Sequence, residues 1–446
     1  MKKTIVILGA GESGTGAALL AQRQGFAVFV SDKGSIAQKY KEILEIEGIE
    51  YEEGRHSEQK ILVADEVIKS PGIPDKAEMV QKLLAKNIPV IDELEFAGRY
   101  TQSRFIAITG TNGKTTTTLL TYHLLKEGGV KVGLAGNIGF SLARQIAEGK
   151  QFDWVVLEVS SFQIDGFRKF RPDVAVLLNI TPDHLDRYNY RLEEYIHSKF
   201  RLTENLRRED AFIYNADDPI VGKEMEGRVF TARKLAVGAG VIKDSGAQIK
   251  PDFLNLKTSK EEVQIPLAEL PLKGRHNSLN MACAALAAME AGVPAGKLPA
   301  LLKSFKNAPH RMQPVATVEG VTYINDSKAT NVDATFYALE AMQRPVVWIA
   351  GGIDKGNDYG QLTEVVGRVK VLICLGKDNR LLREAFEELI PLILDTSSME
   401  EAVNAAKEVA EKGDVVLLSP ACASFDLFRN YEDRGEQFMR FTKELE

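Results

Sequence analysis

Gly110-Thr111-Asn112-Gly113-Lys114-Thr115-Thr116 gathers glycines, hydroxyls and one lysine in the pattern that holds a triphosphate. Glycines let backbone N–H groups turn inward around phosphate oxygens, and a following helix N-terminus favours negative charge. Lys114 can bridge the outer phosphates, and the Thr115 hydroxyl can ligate Mg²⁺. The general P-loop pattern has glycine where this chain has Ile108, a departure from the pattern but not from the mechanism. Trp154-Val155-Val156-Leu157-Glu158 ends in an acid, and a phosphate loop needs such a carboxylate to hold its metal. A strand-terminal surface glutamate is the plainer reading; Ser160-Ser161-Phe162-Gln163 directly after it favours the metal role.

A second glycine cluster, Gly9-Ala10-Gly11-Glu12-Ser13-Gly14, follows a strand and opens a helix, and Asp32 ends the next strand. By motif this is a dinucleotide fingerprint with Asp32 placed for a ribose. The same geometry binds any diphosphate at a helix N-terminus, a nucleotide sugar included. Ser70-Pro71-Gly72-Ile73 could add backbone donors or form an ordinary turn.

The elements that position these groups follow an α/β pattern of short β-branched runs alternating with helical segments. Strands are expected over 4–8, 27–30 and 66–69, then over 105–109, 154–157 and 174–179. A third series covers 321–324, 346–350, 371–375 and 414–418. The helix after the phosphate loop is expected over 117–126, with Gly128 and Gly129 as stop signals. Three series, each opening on a new buried strand, predict three domains: 1–97, 98–307 and 308–446. The first boundary rests on the polar stretch 92–103, and the second falls between the helical 298–305 and Pro309-His310-Arg311. Residues 236–271 read as irregular strands and turns, an excursion from the central domain.

A chain of 446 residues is too long for one core. Hydrophobic residues at 44% and charged residues at 26% predict a folded protein throughout. A net charge of -6 lacks the basic footprint of a nucleic-acid binder but leaves room for a local anion pocket. Cys283, Cys374 and Cys422 are far apart, which disfavours a disulfide framework or a thiolate zinc site. Lys2-Lys3 precedes an apolar run too short for a signal peptide, and no stretch approaches the roughly 20 apolar residues of a membrane span. No membrane insertion and a cytoplasmic location are the expectations.

The segment Ile108–Thr115 resembles the ATP loop shared by Mur ligases and folylpolyglutamate synthases. Gly136-Asn137-Ile138-Gly139, the segment opening at Glu158, Asn179-Ile180-Thr181-Pro182-Asp183-His184-Leu185-Asp186-Arg187 and Gly274-Arg275-His276-Asn277-Ser278-Leu279-Asn280 fit the same superfamily, as does His310-Arg311. Asn325-Asp326-Ser327-Lys328-Ala329-Thr330-Asn331 and Ser419-Pro420-Ala421-Cys422-Ala423-Ser424-Phe425-Asp426 resemble the D-glutamate-adding Mur ligases in particular. The resemblance runs from Gly9 to Gly435.

That resemblance implies a Rossmann-like first domain holding UDP-N-acetylmuramoyl-L-alanine, a central P-loop ATPase-type domain, and a Rossmann-like last domain bringing D-glutamate. Glu12, Ser13, Asp32, Lys33, Ser70, Gly72, Asn137 and His184 would serve the UDP substrate. Gly110 to Thr116, Asn277, Asn280, Arg311 and Asp326 would serve ATP. Two Mg²⁺ ions would sit on Thr115, Glu158, His184 and Lys199, the last as a carbamate formed with carbon dioxide. Lys328, Thr330, Lys355, Ser424 and Phe425 would surround D-glutamate, with Lys114, His184 and Lys199 catalytic. Tyr431 and Ile353 vary from relatives, which bears on one wall and one loop of that pocket. A monomer is implied. Singly, His184 reads as a turn residue, Lys199 as a solvated helix lysine and Asp326 as a helix cap; their joint occurrence with the ATP loop raises them. A dehydrogenase would leave the second phosphate loop unexplained, and a nucleotide-binding scaffold would not need Glu158, His184 and Lys199 together.

Overall fold

The computed structural model describes residues 2–242, 244–354 and 356–446. Its α/β architecture has three domains, each built on one largely parallel sheet. The chain forms two compact units, Met1–Pro271 with Leu279–Phe305, and Leu272–Ser278 with Lys306–Glu446.

The first sheet contains β1 (Thr4–Leu8), β2 (Ala27–Ser31), β3 (Glu50–Glu52), β4 (Glu66–Lys69) and β5 (Val90–Ile91). Its order is β3-β2-β1-β4-β5, all parallel. Ile5 to Leu8 are buried without alternation, as in a strand covered on both faces. The helix Glu12–Arg23 returns close against β1: a Cβ on Gly14 would lie 1.9 Å from the Gly9 carbonyl oxygen. Only glycine permits that approach.

The second sheet contains β6 (Arg104–Thr109), β7 (Val132–Gly136), β8 (Trp154–Glu158), β9 (Val174–Leu177), β10 (Ala211–Asn215), β11 (Arg233–Gly238), β12 (Gly246–Ile249), β13 (Phe253–Lys257) and β14 (Glu262–Pro266). Its order is β14-β13-β12-β11-β10-β9-β6-β8-β7. Residues 236–271, read from sequence as an irregular excursion, extend this sheet: β12 pairs parallel to β11, and β13 and β14 continue antiparallel. The alternating burial of β13 (Leu254 and Leu256 inward) is the period-2 pattern that turn residues around it had masked.

The polar stretch used for the first boundary is not a solvated linker. Asp92 caps the helix Glu93–Ala97, whose five residues are all buried. Glu93 accepts from the Ser141 hydroxyl and the Ala143 amide at 3.0 and 2.6 Å. Glu95 accepts from the amides of Arg168, Lys169 and Phe170 at 3.0, 2.9 and 2.7 Å. Burial pushes the Glu93 carboxyl up to about 7.

The third sheet contains β15 (Gln313–Val318), β16 (Val321–Asn325), β17 (Val346–Ala350), β18 (Val369–Leu375), β19 (Leu392–Thr396) and β20 (Val415–Leu418). It runs β15-β16-β20-β17-β18-β19, parallel except for the β15–β16 hairpin. The long helix Tyr431–Lys443 packs on β15 and β16.

Candidate active site

In the second sheet, β6 lies between β9 and β8, and all three strands deliver their C-terminal loops to one edge. Such an edge is where open α/β sheets bind ligands. The loop 110–113 leaves β6 and enters the helix Lys114–Glu127, which starts three residues earlier than expected. Lys114 therefore opens the helix. Its Nζ donates to the carbonyls of Gly110 and Thr111 at 2.8 and 2.7 Å, so the cation lies over the loop.

The residues after β9 clamp this loop. Asn179 accepts from the Asn112 amide at 2.8 Å and donates to its carbonyl at 3.1 Å. The Thr111 amide donates to the Asn179 carbonyl, and the Thr111 hydroxyl reaches the Thr181 carbonyl and the Tyr195 hydroxyl. Gly113 sits at φ 81°, and a Cβ there would lie 2.5 Å from Asn280 Oδ1. Gly113→Ala would place a side chain in the left-handed region, at about 1 kcal/mol, and push Asn280 away. We expect nucleotide affinity to fall about tenfold or more, measured by calorimetric titration; unchanged affinity would detach Gly113 and Asn280 from nucleotide binding.

Glu158, the last residue of β8, is 2% exposed. Its Oε1 accepts from Asn137 Nδ2 at 2.8 Å, whereas Oε2 is buried and accepts no hydrogen bond among the described residues. A buried carboxylate oxygen without a donor suits a cation, because an unsatisfied acceptor there costs stability otherwise. A hydroxyl such as that of Thr115 and a carboxylate such as that of Glu158 are oxygen donors of the kind Mg²⁺ accepts. His184 takes φ 54°, a conformation uncommon outside glycine and asparagine, and its ring packs 5.2 Å from that of Phe162. Phe162 lies in the short helix Ser161–Ile164 that follows β8, so the Glu158 and His184 loops meet. His184 Nε2 is 3.6 Å from Asp183 Oδ2.

Lys199 is not the solvated helix lysine that its position alone suggests. It is 2% exposed on the helix Leu192–Phe200, with Nζ 4.6 Å over the Tyr195 ring. Burial holds its ammonium well below the usual lysine range, and the charge of Lys114 adds to the shift.

The first sheet carries a separate cavity of about 620 Å³ at the C-terminal ends of β1, β2 and β4. Asp32, Lys33, Ser70 and Gly72 line it, as do Gly9, Gly11 and His56. Asp32 accepts from the Ala10 and Gly34 amides, both at 2.8 Å, so it shapes the glycine loop as well. Glu12 and Ser13 are not among the lining residues; Glu12 pairs with Arg144 at 3.3 Å. Arg187 donates to the carbonyls of Pro71 and Gly72, tying this cavity's edge to the His184 loop.

In the second unit, Asn277 donates to the Lys273 carbonyl at 2.8 Å. Asp326 is buried, accepts from the Met312 amide and the Ser419 hydroxyl, and is pushed up to about 7 by that burial. It does not cap the following helix; Asn331 caps Val332–Glu340. The neighbouring Arg311 charge opposes the rise at Asp326. Lys328 Nζ lies 3.5 Å over the Tyr431 ring. Thr330 sits in the same loop, Ser424 is buried and Phe425 is exposed. Lys355 lies outside the described residues. Ile353 bridges Ala423 through its backbone, so that loop contact is made without its apolar side chain.

Comparison with known proteins matches three family models: a MurD N-terminal domain over residues 4–79, a Mur ligase middle domain over 108–288, and a Mur ligase glutamate ligase domain over 310–422. The UDP-N-acetylmuramoylalanine–D-glutamate ligase of Christiangramia forsetii is 50% identical, covering 100% of both chains. The ligase of the same name from Porphyromonas gingivalis is 51% identical over 99% of this chain and 98% of its own. The chain belongs to the UDP-N-acetylmuramoylalanine–D-glutamate ligase family. Among solved structures, a pseudomurein peptide ligase type C from Methanothermus fervidus matches this D-glutamate ligase family member with a TM-score of 0.62 at 21% identity. It covers 100% of this chain and 99% of that one. The MurF ligase of Thermotoga maritima in complex with ADP gives 0.62 at 18% identity, over 94% and 95%. Both speak for the fold.

Two residues that hold the ligase's phosphate loop had no role assigned from sequence. Asn179 clamps Asn112, and Tyr195 supports Thr111. Asn179 was legible as the polar end of an apolar strand beside β6; Tyr195, on an amphipathic helix, carried no such signal.

Proposed function

We propose that this chain joins the carboxylate of UDP-N-acetylmuramoyl-L-alanine to the amine of D-glutamate, converting ATP to ADP and phosphate, in cytoplasmic peptidoglycan precursor synthesis. The full-length likeness to ligases of that name supports this most strongly. No helix among the described residues is long and apolar enough to cross a membrane. We take the chain as a monomer with functional boundaries near 97 and 307.

A carboxylate does not acylate an amine until its oxygen becomes a good leaving group. The γ-phosphoryl of ATP passes to the L-alanyl carboxylate, giving an acyl phosphate and ADP. The D-glutamate nitrogen then attacks the acyl carbon, the tetrahedral intermediate expels phosphate, and the amine proton leaves to solvent. Both reacting groups of the first step are anionic, so charge neutralisation is the main task. Residues 110–116 cradle the phosphates with backbone amides, and Lys114 follows the γ-phosphoryl. Two bound Mg²⁺ ions would supply the remaining positive charge. Thr115 and Glu158 would hold one. His184 and Lys199, carbamylated by carbon dioxide, would hold the other. The burial of Lys199 supports that modification, since an unprotonated amine is the form that adds to carbon dioxide and a carbamate presents oxygen to a metal. Asn280 sits against Gly113 as an ATP contact should; Asn277, Arg311 and Asp326 complete the nucleotide residues. Glu12, Ser13, Asp32, Lys33, Ser70 and Gly72 take the UDP group, and Asn137 and His184 contact the same substrate. Lys328, Thr330, Lys355, Ser424 and Phe425 receive D-glutamate.

Phosphate release from ATP and UDP-N-acetylmuramoyl-L-alanine tests the acceptor. D-glutamate should drive it, while L-glutamate, glycine and diamino acids should not. A dicarboxylate anchored at both ends fixes its α-carbon. Inverting the configuration swings the amine away from the acyl phosphate, and a misplacement of about 1 Å costs roughly a hundredfold in rate. Preferential use of a diamino acid or of L-glutamate would sink the acceptor assignment and leave the ATP chemistry standing.

A further inference from the structure

The three loops proposed for the acceptor leave adjacent strands of the third sheet. β16 runs into 325–331, β17 into the loop opening at Gly351 and β20 into 419–426, with β20 between the other two. Buried among them is Arg434 of the helix Tyr431–Lys443, 1% exposed. Its Nε donates to Ser327 Oγ at 3.0 Å, and Nη2 donates to the Ser327 carbonyl at 2.9 Å. Nη1 donates to the Gly351 carbonyl at 3.3 Å, and both terminal nitrogens donate to the Cys422 carbonyl at 3.2 Å. One side chain thus reaches every loop. Ser327 Oγ in turn donates to the Tyr431 carbonyl at 2.8 Å, and the Tyr431 ring carries Lys328 Nζ.

This arginine forms no ion pair among the described residues; Asp426 and Cys422 act on it electrostatically. Burial lowers its guanidinium to about 10, so it stays charged at neutral pH. Burying an arginine without a carboxylate partner is costly, and a leucine or methionine would fill a core more cheaply. What an apolar residue could not do is bond three separate backbones at fixed spacing, the use for which the planar five-donor fork is suited.

We infer that Arg434 is a positioning residue that sets the spacing of the acceptor-binding loops and so governs affinity for D-glutamate. The inference rests on the reading of those loops as the acceptor site. Both anion contacts of a short dicarboxylate depend on that spacing, whereas the nucleotide contacts on residues 110–116 do not, and Asp326 is held by the Met312 amide and the Ser419 hydroxyl. Steady-state kinetics of full-length Arg434→Gln, Arg434→Lys, Ser327→Ala and Lys328→Ala, with thermal melts, provide the test. Arg434→Gln should raise KM for D-glutamate about tenfold or more, while KM for ATP and for UDP-N-acetylmuramoyl-L-alanine moves by less than about twofold. Arg434→Lys, which keeps the charge and loses the fork, should fall between, and Ser327→Ala should shift the same constant by a smaller factor. If Arg434→Gln does not fold, the split in Arg434→Lys and Ser327→Ala decides. A lowered melting temperature with all three KM values unchanged, or all raised alike, would reduce Arg434 to a structural residue and overturn the inference. Should Lys328→Ala raise KM for D-glutamate while the Arg434 variants do not, the inference fails and the acceptor reading stands. If Lys328→Ala is also silent, both fall.

Discussion

Lys114→Ala should yield a folded protein whose turnover is lower by about a thousandfold or more, the scale of losing a principal charge stabiliser in the transition state. The side chain is partly buried, and its Nζ donates to the carbonyls of Gly110 and Thr111 in the loop proposed to hold the phosphates. The same helix anchors itself in the apolar core through Leu120, Leu124 and Leu125, which the substitution leaves in place. The melting temperature should therefore stay within a few degrees, and the loss should appear in kcat more than in KM for D-glutamate. Rapid-quench measurement of the first phosphoryl transfer would place the defect before amine attack. Near-normal turnover in a folded Lys114→Ala protein would end the phosphoryl-transfer assignment.

Removal of the Lys199 side chain should be nearly as damaging, about a hundredfold or more, yet differ in being reparable. The lysine is buried, and Ala at 199 leaves a space where its stem and terminal group had been. If the missing group is a carbamate oxygen, formate or acetate entering that space should restore activity by about tenfold or more, through the metal that the carboxylate would hold. The same acids should do nothing for Lys114→Ala, whose defect is a missing cation. Lys199→Arg separates the cases further, since guanidinium stays protonated and adds no carbon dioxide. An active Lys199→Arg together with Lys199→Ala indifferent to short acids would mean that a plain cation works at 199, and the carbamate would be excluded.

Much of the fold was legible because both-face burial writes itself into a parallel strand as an unbroken apolar run. The expected strands 4–8, 66–69 and 346–350 match β1, β4 and β17 to the residue. Residues 236–271 were harder, since short antiparallel strands at a sheet edge show only a weak alternation amid turn residues. In the site, residues 110–116 and Glu158 were readable from local order, because strand, loop and helix follow one another in the chain. The burial of Lys199 was not: it depends on what packs over the helix Leu192–Phe200, and a lysine on a helix looks the same whether covered or solvated. Arg434 escaped for a similar reason, its partners lying 12, 83 and 107 residues away.

The buried carboxylates of the helix Glu93–Ala97 bear on how this chain could be recombined. In sequence the residues before 97 look like a detachable module ending in a polar stretch. Glu93 and Glu95 instead spend their acceptor capacity on residues near 141 and 168, on the far side of that join. A chimera that grafted a foreign first sheet onto this chain would leave the amides of Ala143 and of Arg168 to Phe170 without acceptors unless the graft brought matching acids. A crossover placed between β8 and the Arg168 segment would separate Glu95 from its donors just as surely. The unit of exchange is therefore longer than the first sheet: it must carry Ser141, Ala143 and the turn at 168–170 along with it.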